Sequence, residues 1–361
     1  RMFLSYWRNP TYISSKLFLN LVGGLFIGSS FWGQGDKTSS ASLQNKLFAT
    51  FMSLVLSTSL SQQLQPEFIN QRNLFEVRER PSKLYSWVVF LLSQAIVEIP
   101  WNLFGGTLFW IPWYYMAQFG RESSRAGFSW GMYMIFQIYF ASFAQAVATV
   151  APNAMIASVL FSTLFSFVMV FCGVIQPPRQ LPYFWREWMF YLSPFTWLIE
   201  SMMGNFIHDK VVRCLPDELN DVPTPPGTSC EQHMDFTVSL SRADQSPLDG
   251  SLPGFGYYVA GQNGSCQFCS MRKGEDYLSS IKLKSENRFR DIGFMFAYIV
   301  FNYLLYVGLY YLMRVHNWKS PSRMKQSRPQ PSAPQEDNFP QQEGLETKHL
   351  NASEKETTPS P

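Results

Sequence analysis

Few residues in this sequence of 361 are of a type and spacing that could do chemistry. The four histidines, His208, His233, His316 and His349, are scattered without metal-ligand spacing, so no metal site is expected. Neither a Gly-x-x-x-x-Gly-Lys-Ser/Thr phosphate loop nor a His-Glu-x-x-His pair occurs. No catalytic residue and no cofactor of this chain's own is therefore expected. Three features remain. Cys214, Cys230, Cys266 and Cys269 fall in one stretch, leaving Cys172 apart. Glu98 interrupts an uncharged run, directly before Ile99-Pro100. The segment Asn73 to Ser86 gathers Glu76, Arg78, Glu79 and Arg80 between two apolar runs.

The elements that must position these features can be read from charge. Charged residues make up 15% of the chain, against roughly 25% in soluble domains. The mean hydropathy of -0.07 averages charge-rich loops with long charge-free stretches. A bilayer core takes about 20 mostly apolar residues to cross as a helix. Nineteen uncharged residues lie between Lys16 and Asp36 and twenty between Lys46 and Glu67, and Leu84 to Gly120 carries only Glu98. Arg125 and Arg179 bracket 53 residues without Asp, Glu, Lys or Arg, read as two helices divided at Ala151-Pro152-Asn153. Ile292 to Met313 is the last such span. The expected fold class is an all-α polytopic membrane protein with six transmembrane helices, five within residues 16–175 and the sixth at 290–318. The net charge of +3, with no basic stripe, argues against a nucleic-acid partner.

Lys and Arg in short loops set orientation. They precede the first span (residues 1–15), fill the loop at 68–83 and follow the last span, which marks these segments as cytoplasmic. Arg121 and Arg125 blur the bias on the other side. Residues 176–289 then form a large extracellular loop, where an oxidising compartment makes the four cysteines a disulfide framework. Four cysteines allow three pairings, and the nested one, Cys214 with Cys269 and Cys230 with Cys266, is the expectation. A zinc site using Cys266 and Cys269 is the competing reading. Asn263-Gly264-Ser265 is a glycosylation sequon. Leu181 to Ile207 is aromatic and apolar but broken by Arg186, Glu187 and Pro194, which predicts short interfacial helices. Pro216 to Gly264 predicts loop, and residues 319–361 predict a disordered cytoplasmic tail. The sequence opens at Arg1 without a signal-peptide pattern, and a piece of a longer chain is the expectation.

A carboxylate at membrane depth normally faces protein or water. With no visible basic partner, Glu98 reads first as a cap for the hydrogen-bond gap that Pro100 opens, and second as a proton or cation site. The charged segment reads equally as a docking surface or as a solvated loop.

Taken in order, several motifs resemble one family. They are Tyr6-Trp-Arg-Asn-Pro10, Phe75-Glu-Val-Arg-Glu-Arg-Pro-Ser-Lys83, Val97-Glu-Ile-Pro100 and Gly173-Val-Ile-Gln-Pro-Pro178. Phe184-Trp185 through Tyr191-Leu-Ser-Pro-Phe195 follows, and the cysteine set ends at Asp276-Tyr-Leu278. Together they resemble the second transmembrane domain of full-size fungal ABC transporters of the G subfamily, the pleiotropic drug resistance type. The resemblance implies an ABC-2, type-V exporter fold with a connecting helix at Met2 to Pro10. It also implies a coupling helix at Phe75 to Lys83, touching a nucleotide-binding domain through Glu76, Arg78, Glu79 and Arg80. It places a substrate cavity at Val55, Leu56, Ser59, Ser162, Ser166 and Met169, and an exit plug at Val174 and Ile175. For each of these eight, plain helix packing is the competing reading.

The resemblance further implies partners. Nucleotide-binding domains outside this stretch would hold ATP and Mg, a first transmembrane domain would complete the pore, and hydrophobic small molecules would be exported across the plasma membrane. Hydrolysis elsewhere would rock the first, second and fifth spans against their counterparts. Rival readings are a lipid or sterol translocator, a proton-coupled carrier using Glu98, and a non-transporting membrane scaffold.

Overall fold

A computed structural model describes residues 2–35, 37–223, 257–260, 265–269, 271 and 273–316. The chain opens with α1 (Met2–Trp7) and α2 (Pro10–Ser30). Pro10 suits the first turn of α2, where its missing N–H would have no helical partner anyway. Ser39 caps α3 (Ser40–Val55) by accepting from the Ser42 N–H at 3.2 Å. A one-residue irregularity at Leu56, where the backbone stays helical at φ -58° and ψ -29°, leads into α4 (Ser57–Leu74), which carries Pro66 and runs on into one π-helical turn, Phe75–Glu79. Ser86 caps α5 (Trp87–Ala117), a helix of 31 residues that stops where Gln118 turns left-handed.

The long uncharged run divides where the sequence predicts. α6 (Ser123–Val150) ends before Ala151-Pro152, and Asn153 caps α7 (Ala154–Val170) through the Ile156 N–H at 3.0 Å. Two short helices follow, α8 (Tyr183–Leu192) and α9 (Pro194–Ile207), parted at Ser193. A small antiparallel sheet is built from β1 (Asn220–Pro223), β2 (Tyr257–Ala260) and β3 (Ser265–Cys269), with β3 central. Asn220 stands opposite Phe268, and Tyr257 opposite Cys269. The stretch expected to be loop therefore contributes two strands. α10 (Gly274–Ser280) and α11 (Arg288–Tyr310) complete the helices.

α6 is the axis of the packing, with α4, α5, α7, α9 and α11 lying against it. Its aromatic rings make the core. Phe140 meets Phe161 and Phe165 of α7 edge-on at 5.2 and 5.7 Å, and Phe136 meets Phe195 of α9 at 5.9 Å, the geometry that ring quadrupoles favour. Four helical stretches are long and apolar enough to cross a membrane: α2, α5, α6 and Ser285–His316, which contains α11. α7 is apolar over a shorter 17 residues. The divided α3–α4 rod and α7 are what separate this count of four from the six expected.

Candidate functional site

At one end of the bundle lies the charged segment. Phe75 is buried and stacks on Phe90 of α5, with ring centroids 4.6 Å apart and planes within 7°. The wider π turn brings the Arg80 N–H to the Phe75 carbonyl at 2.8 Å. Glu76 turns inward, its Oε2 3.4 Å from Arg314 Nη1 and its Oε1 accepting from Tyr310 at 3.5 Å. Glu79 is also buried and accepts from the Tyr85 hydroxyl. Arg80 donates to the Arg314 carbonyl at 3.2 Å. Of the four residues singled out in the sequence, only Arg78 is exposed. Beside it stand Val77, 80% exposed, and the exposed Leu74 and Leu84. The acids and Arg80 build the turn, and Val77 and Arg78 are what it presents.

Behind this turn Arg72 is buried and donates to the carbonyls of Ala148 and Ala151, both at 2.8 Å, and of Pro152 at 3.1 Å. These carbonyls close α6, where no helical N–H remains to meet them. Sequence reading counted Arg72 only as a positive charge in a loop.

The expected cavity residues occupy different settings. Val55, Leu56 and Ser59 are half-buried around the α3–α4 irregularity, and Leu56 lies directly over Gly23 of α2. On α7, Met169 belongs to the buried face with Phe161 and Phe165, whereas Ser162 is half-buried and Ser166 exposed. After Gly173, whose φ of 85° a side chain would strain, Val174 packs on the core and Ile175 is exposed.

Glu98 has the basic partner that the sequence did not reveal. Lys16 Nζ stands 2.6 Å from Oε2, and the Tyr12 hydroxyl donates to Oε1 at 2.8 Å. Both charged side chains are enclosed, 4% and 1% exposed. One turn nearer the same end, the Tyr6 hydroxyl donates to Gln94 Oε1 at 3.0 Å. Lys16 was read as a flank of the first span, but it sits inside α2. The signal available in the sequence is the spacing Tyr12, Lys16, Asn20, Gly24, Gly28, every fourth residue on one helix face.

At the opposite end Cys214 and Cys269 form a disulfide, as expected, which removes Cys269 from any zinc site. Cys230 and Asn263 lie outside the described residues, as does the Cys266 side chain. Close by, Glu218 reaches back to the start of α3. Its carboxylate accepts from the N–H groups of Ala41 at 2.8 Å, Leu215 at 3.0 Å and Ser40 at 3.2 Å. Partial burial pushes the Glu218 carboxyl up, but these backbone donors outweigh it and hold the group below its ordinary range. Arg213 N–H donates to the Thr38 carbonyl at 3.1 Å in the same contact. Arg125, which blurred the charge bias, donates to the carbonyls of Asn205 and His208 and so caps the end of α9. His208 itself stands 3.1 Å from its neighbour Asp209 Oδ2 and 3.2 Å from Glu275 Oε1, which is remote in sequence.

Gly127-Phe128-Ser129-Trp130-Gly131 has the Gly-x-Ser-x-Gly spacing of a nucleophile elbow. It lies within α6, where Ser129 receives the Trp110 Nε1–H at 3.1 Å and donates to the Ala126 carbonyl at 3.0 Å. That setting lacks the strand-to-helix turn that exposes a nucleophile.

Comparison with known proteins agrees with this architecture. The profile of the ABC-2 type transporter family matches residues 1–207. Brefeldin A resistance protein of Schizosaccharomyces pombe is 40% identical over 324 residues, covering 89% of this chain and 20% of that protein. ABC multidrug transporter atrA of Aspergillus oryzae is 37% identical over 318 residues, 88% of this chain and 20% of its own length. ABC multidrug transporter AFR2 of Cryptococcus neoformans is 36% identical over 87% of this chain, again 20% of its length. The chain thus spans about a fifth of the length of these relatives. A family match over more than half the chain, joined to several apolar membrane helices, identifies it: this is a multi-pass membrane protein of the ABC-2 type transporter family.

Proposed function

We propose that the chain is one membrane half of an ATP-driven efflux pump for amphipathic hydrophobic compounds. In this reading six crossings, counting α3–α4 and α7, put the π-turn end in the cytoplasm and the disulfide end outside, at the plasma membrane. Nucleotide-binding domains elsewhere in the full-length protein would hold ATP and Mg, and a companion membrane half would complete the pore. Residues 1–15 would lie along the cytoplasmic face, residues 176–289 would form the outer cap, and 319–361 a cytoplasmic tail. The observation that carries the reading is the exposed Val77–Arg78 tip at the π turn. A tip that must transmit a push needs stiff backing, and the buried Phe75, Glu76 and Glu79 supply it. Relatives named for multidrug transport and brefeldin A resistance support a drug-like cargo. Apolar walls dotted with hydroxyls suit such cargo, which binds mainly by desolvation.

A proton-coupled carrier would need an acid that an ion can reach. Both Glu98 oxygens are already occupied by Lys16 and Tyr12 in an enclosed site, which counts against that rival. The test is efflux of an amphipathic dye from cells carrying the full-length protein. Export should stop on ATP depletion and continue when the proton gradient is collapsed. Export that follows the proton gradient and survives ATP depletion overturns the proposal, and movement of labelled lipid without dye reassigns the cargo.

A further inference from the structure

α2 and α5 run parallel and touch from Tyr6–Gln94, just before α2, to the Gly35 N–H beyond it, which donates to the Ala117 carbonyl at 2.8 Å. The contact is unusually close in the middle. A Cβ at Gly24 would stand 2.5 Å from the Phe109 carbonyl oxygen, and one at Gly28 would stand 2.8 Å from that of Pro112. Backbone therefore lies close against backbone, with the Pro112 ring and the Met116 Cβ beside the contact. Below that zone Asn20 packs under Gly105, and Lys16 and Tyr12 fasten Glu98. At the far end a second backbone bond joins the Gly33 N–H to the Met116 carbonyl at 3.2 Å.

From this we infer that the first and third spans move as one rigid pair, with Lys16 and Glu98 the positioning residues that fix its register. This rests on the efflux reading above and amends the rocking scheme of the sequence analysis, in which the first span moved with the second and fifth. Three physical points support it. Interdigitated backbones cannot slide by small amounts; the next packing arrangement lies one helical turn away, about 5.4 Å. The ion pair is the only place along the seam where two opposite charges meet among the described residues, and separating them strands two buried ions. The push enters at the correct point, because Phe75 stacks on Phe90 in the first turn of α5 and Tyr85, which holds Glu79, directly precedes the Ser86 cap. A displacement at the π turn then arrives at the outer ends of both spans together.

The experiment uses the full-length transporter and two readouts. Spin labels at Ser30→Cys and Tyr115→Cys, both exposed near the outer ends of the two helices, report their separation. The distance should be the same in the nucleotide-free and ATP-trapped states, and a change approaching one helical turn overturns the inference. Second, Lys16→Met and Glu98→Gln should each lower dye exported per ATP hydrolysed by about 2- to 30-fold, the span by which residues along a coupled network modulate it. The KM for ATP should stay near that of the wild type, because neither residue approaches a nucleotide site. The exchange Lys16→Glu with Glu98→Lys should recover much of the loss, which a purely volumetric packing role would not allow. Singles that keep the wild-type export-to-hydrolysis ratio overturn the role of the pair. If the single variants fail to reach the membrane, the label distance in the protein with Lys16 and Glu98 intact still decides. Absence of ATP-dependent efflux in the parent protein would sink the proposed function and leave the distance measurement standing.

Discussion

Replacing Arg72 with Met keeps the aliphatic stem and deletes the guanidinium, so the consequence can be followed atom by atom. Three carbonyls lose a donor: Ala148 and Ala151 at 2.8 Å and Pro152 at 3.1 Å. Ala151 keeps another, Arg314 Nη2 at 3.2 Å. Ala148 and Pro152 retain no side-chain donor among the described residues. A buried acceptor left unmet costs about 1–3 kcal/mol, so two of them destabilise by roughly 2–6 kcal/mol. With about 2–4 °C per kcal/mol for domains of roughly 150–250 residues, the melting temperature should fall by at least about 4 °C. Arg72→Lys, which keeps the charge but loses the planar fork, should fall between the two. The assay is thermal unfolding of the full-length protein in lipid nanodiscs, followed by tryptophan fluorescence. A melting temperature for Arg72→Met indistinguishable from wild type would mean that water already serves these carbonyls, and the reasoning would fail.

Other consequences follow from the same contacts. Arg78→Ala should cut dye export per ATP while leaving the melting temperature unchanged, whereas Glu79→Ala should lower the melting temperature because its carboxylate is buried on Tyr85; equal melting shifts would refute the division of the turn into tip and backing. Glu218 should give the outer contact an acid-labile component, since its folded pKa lies below the unfolded value. That contribution is fully present above the unfolded value of about 4.3 and is lost as pH falls through the lower folded one. The stability difference between wild type and Glu218→Gln should therefore hold near neutral pH and shrink as the pH falls below the unfolded value, and a constant difference would contradict it. Cys214→Ser opens a loop closed across 55 residues, worth about 4 kcal/mol of chain entropy. Limited proteolysis should then cut the 215–268 segment faster, and an unchanged rate would show that the sheet holds without the disulfide.

Much of the fold was legible because lipid is an unforgiving solvent for charge. α5 falls inside the uncharged run from Leu84 to Gly120, α11 begins just before Ile292, and the α6–α7 boundary sits at Ala151-Pro152-Asn153. The failures share one cause. Charge counting treats every Lys as water-facing and so ends a span at it. Lys16 and Lys46 were both placed at boundaries, yet both lie within helices and are buried. Lys16 meets Glu98, and Lys46 Nζ donates to the Lys37 carbonyl at 2.9 Å. A lysine with a long stem and a partner can be placed indoors, and the partner is remote in sequence: Glu98 lies 82 residues from Lys16. The same distance hid the contact of Glu218 with Ala41, 177 residues away. Local pattern finds helices; it has no access to which two helices meet.

The division between stiff and yielding elements ties these observations to transport. In α2 and α5 the close seam, the two backbone bonds and the ion pair all resist relative motion. In α3–α4 the fastening is concentrated at one end. At Leu56 the helical path is irregular, the Ser59 N–H turning to the Leu56 carbonyl at 3.1 Å, and Pro66 interrupts α4 as Pro100 and Pro112 interrupt α5. Ser57 and Ser61 are buried near the start of α4, and Arg72 ties its other end to the carbonyls of Ala148, Ala151 and Pro152. A bundle of uniformly stiff helices would carry a cytoplasmic push straight across the membrane without opening anything, and a uniformly soft one would absorb it. Val55, Leu56 and Ser59 sit at the α3–α4 irregularity, with Leu56 resting on Gly23 of the stiff pair. On the efflux reading, that is the point where motion of the rigid pair is converted into a change of shape at the cavity wall, and the small residue beneath Leu56 is what lets the two surfaces pass.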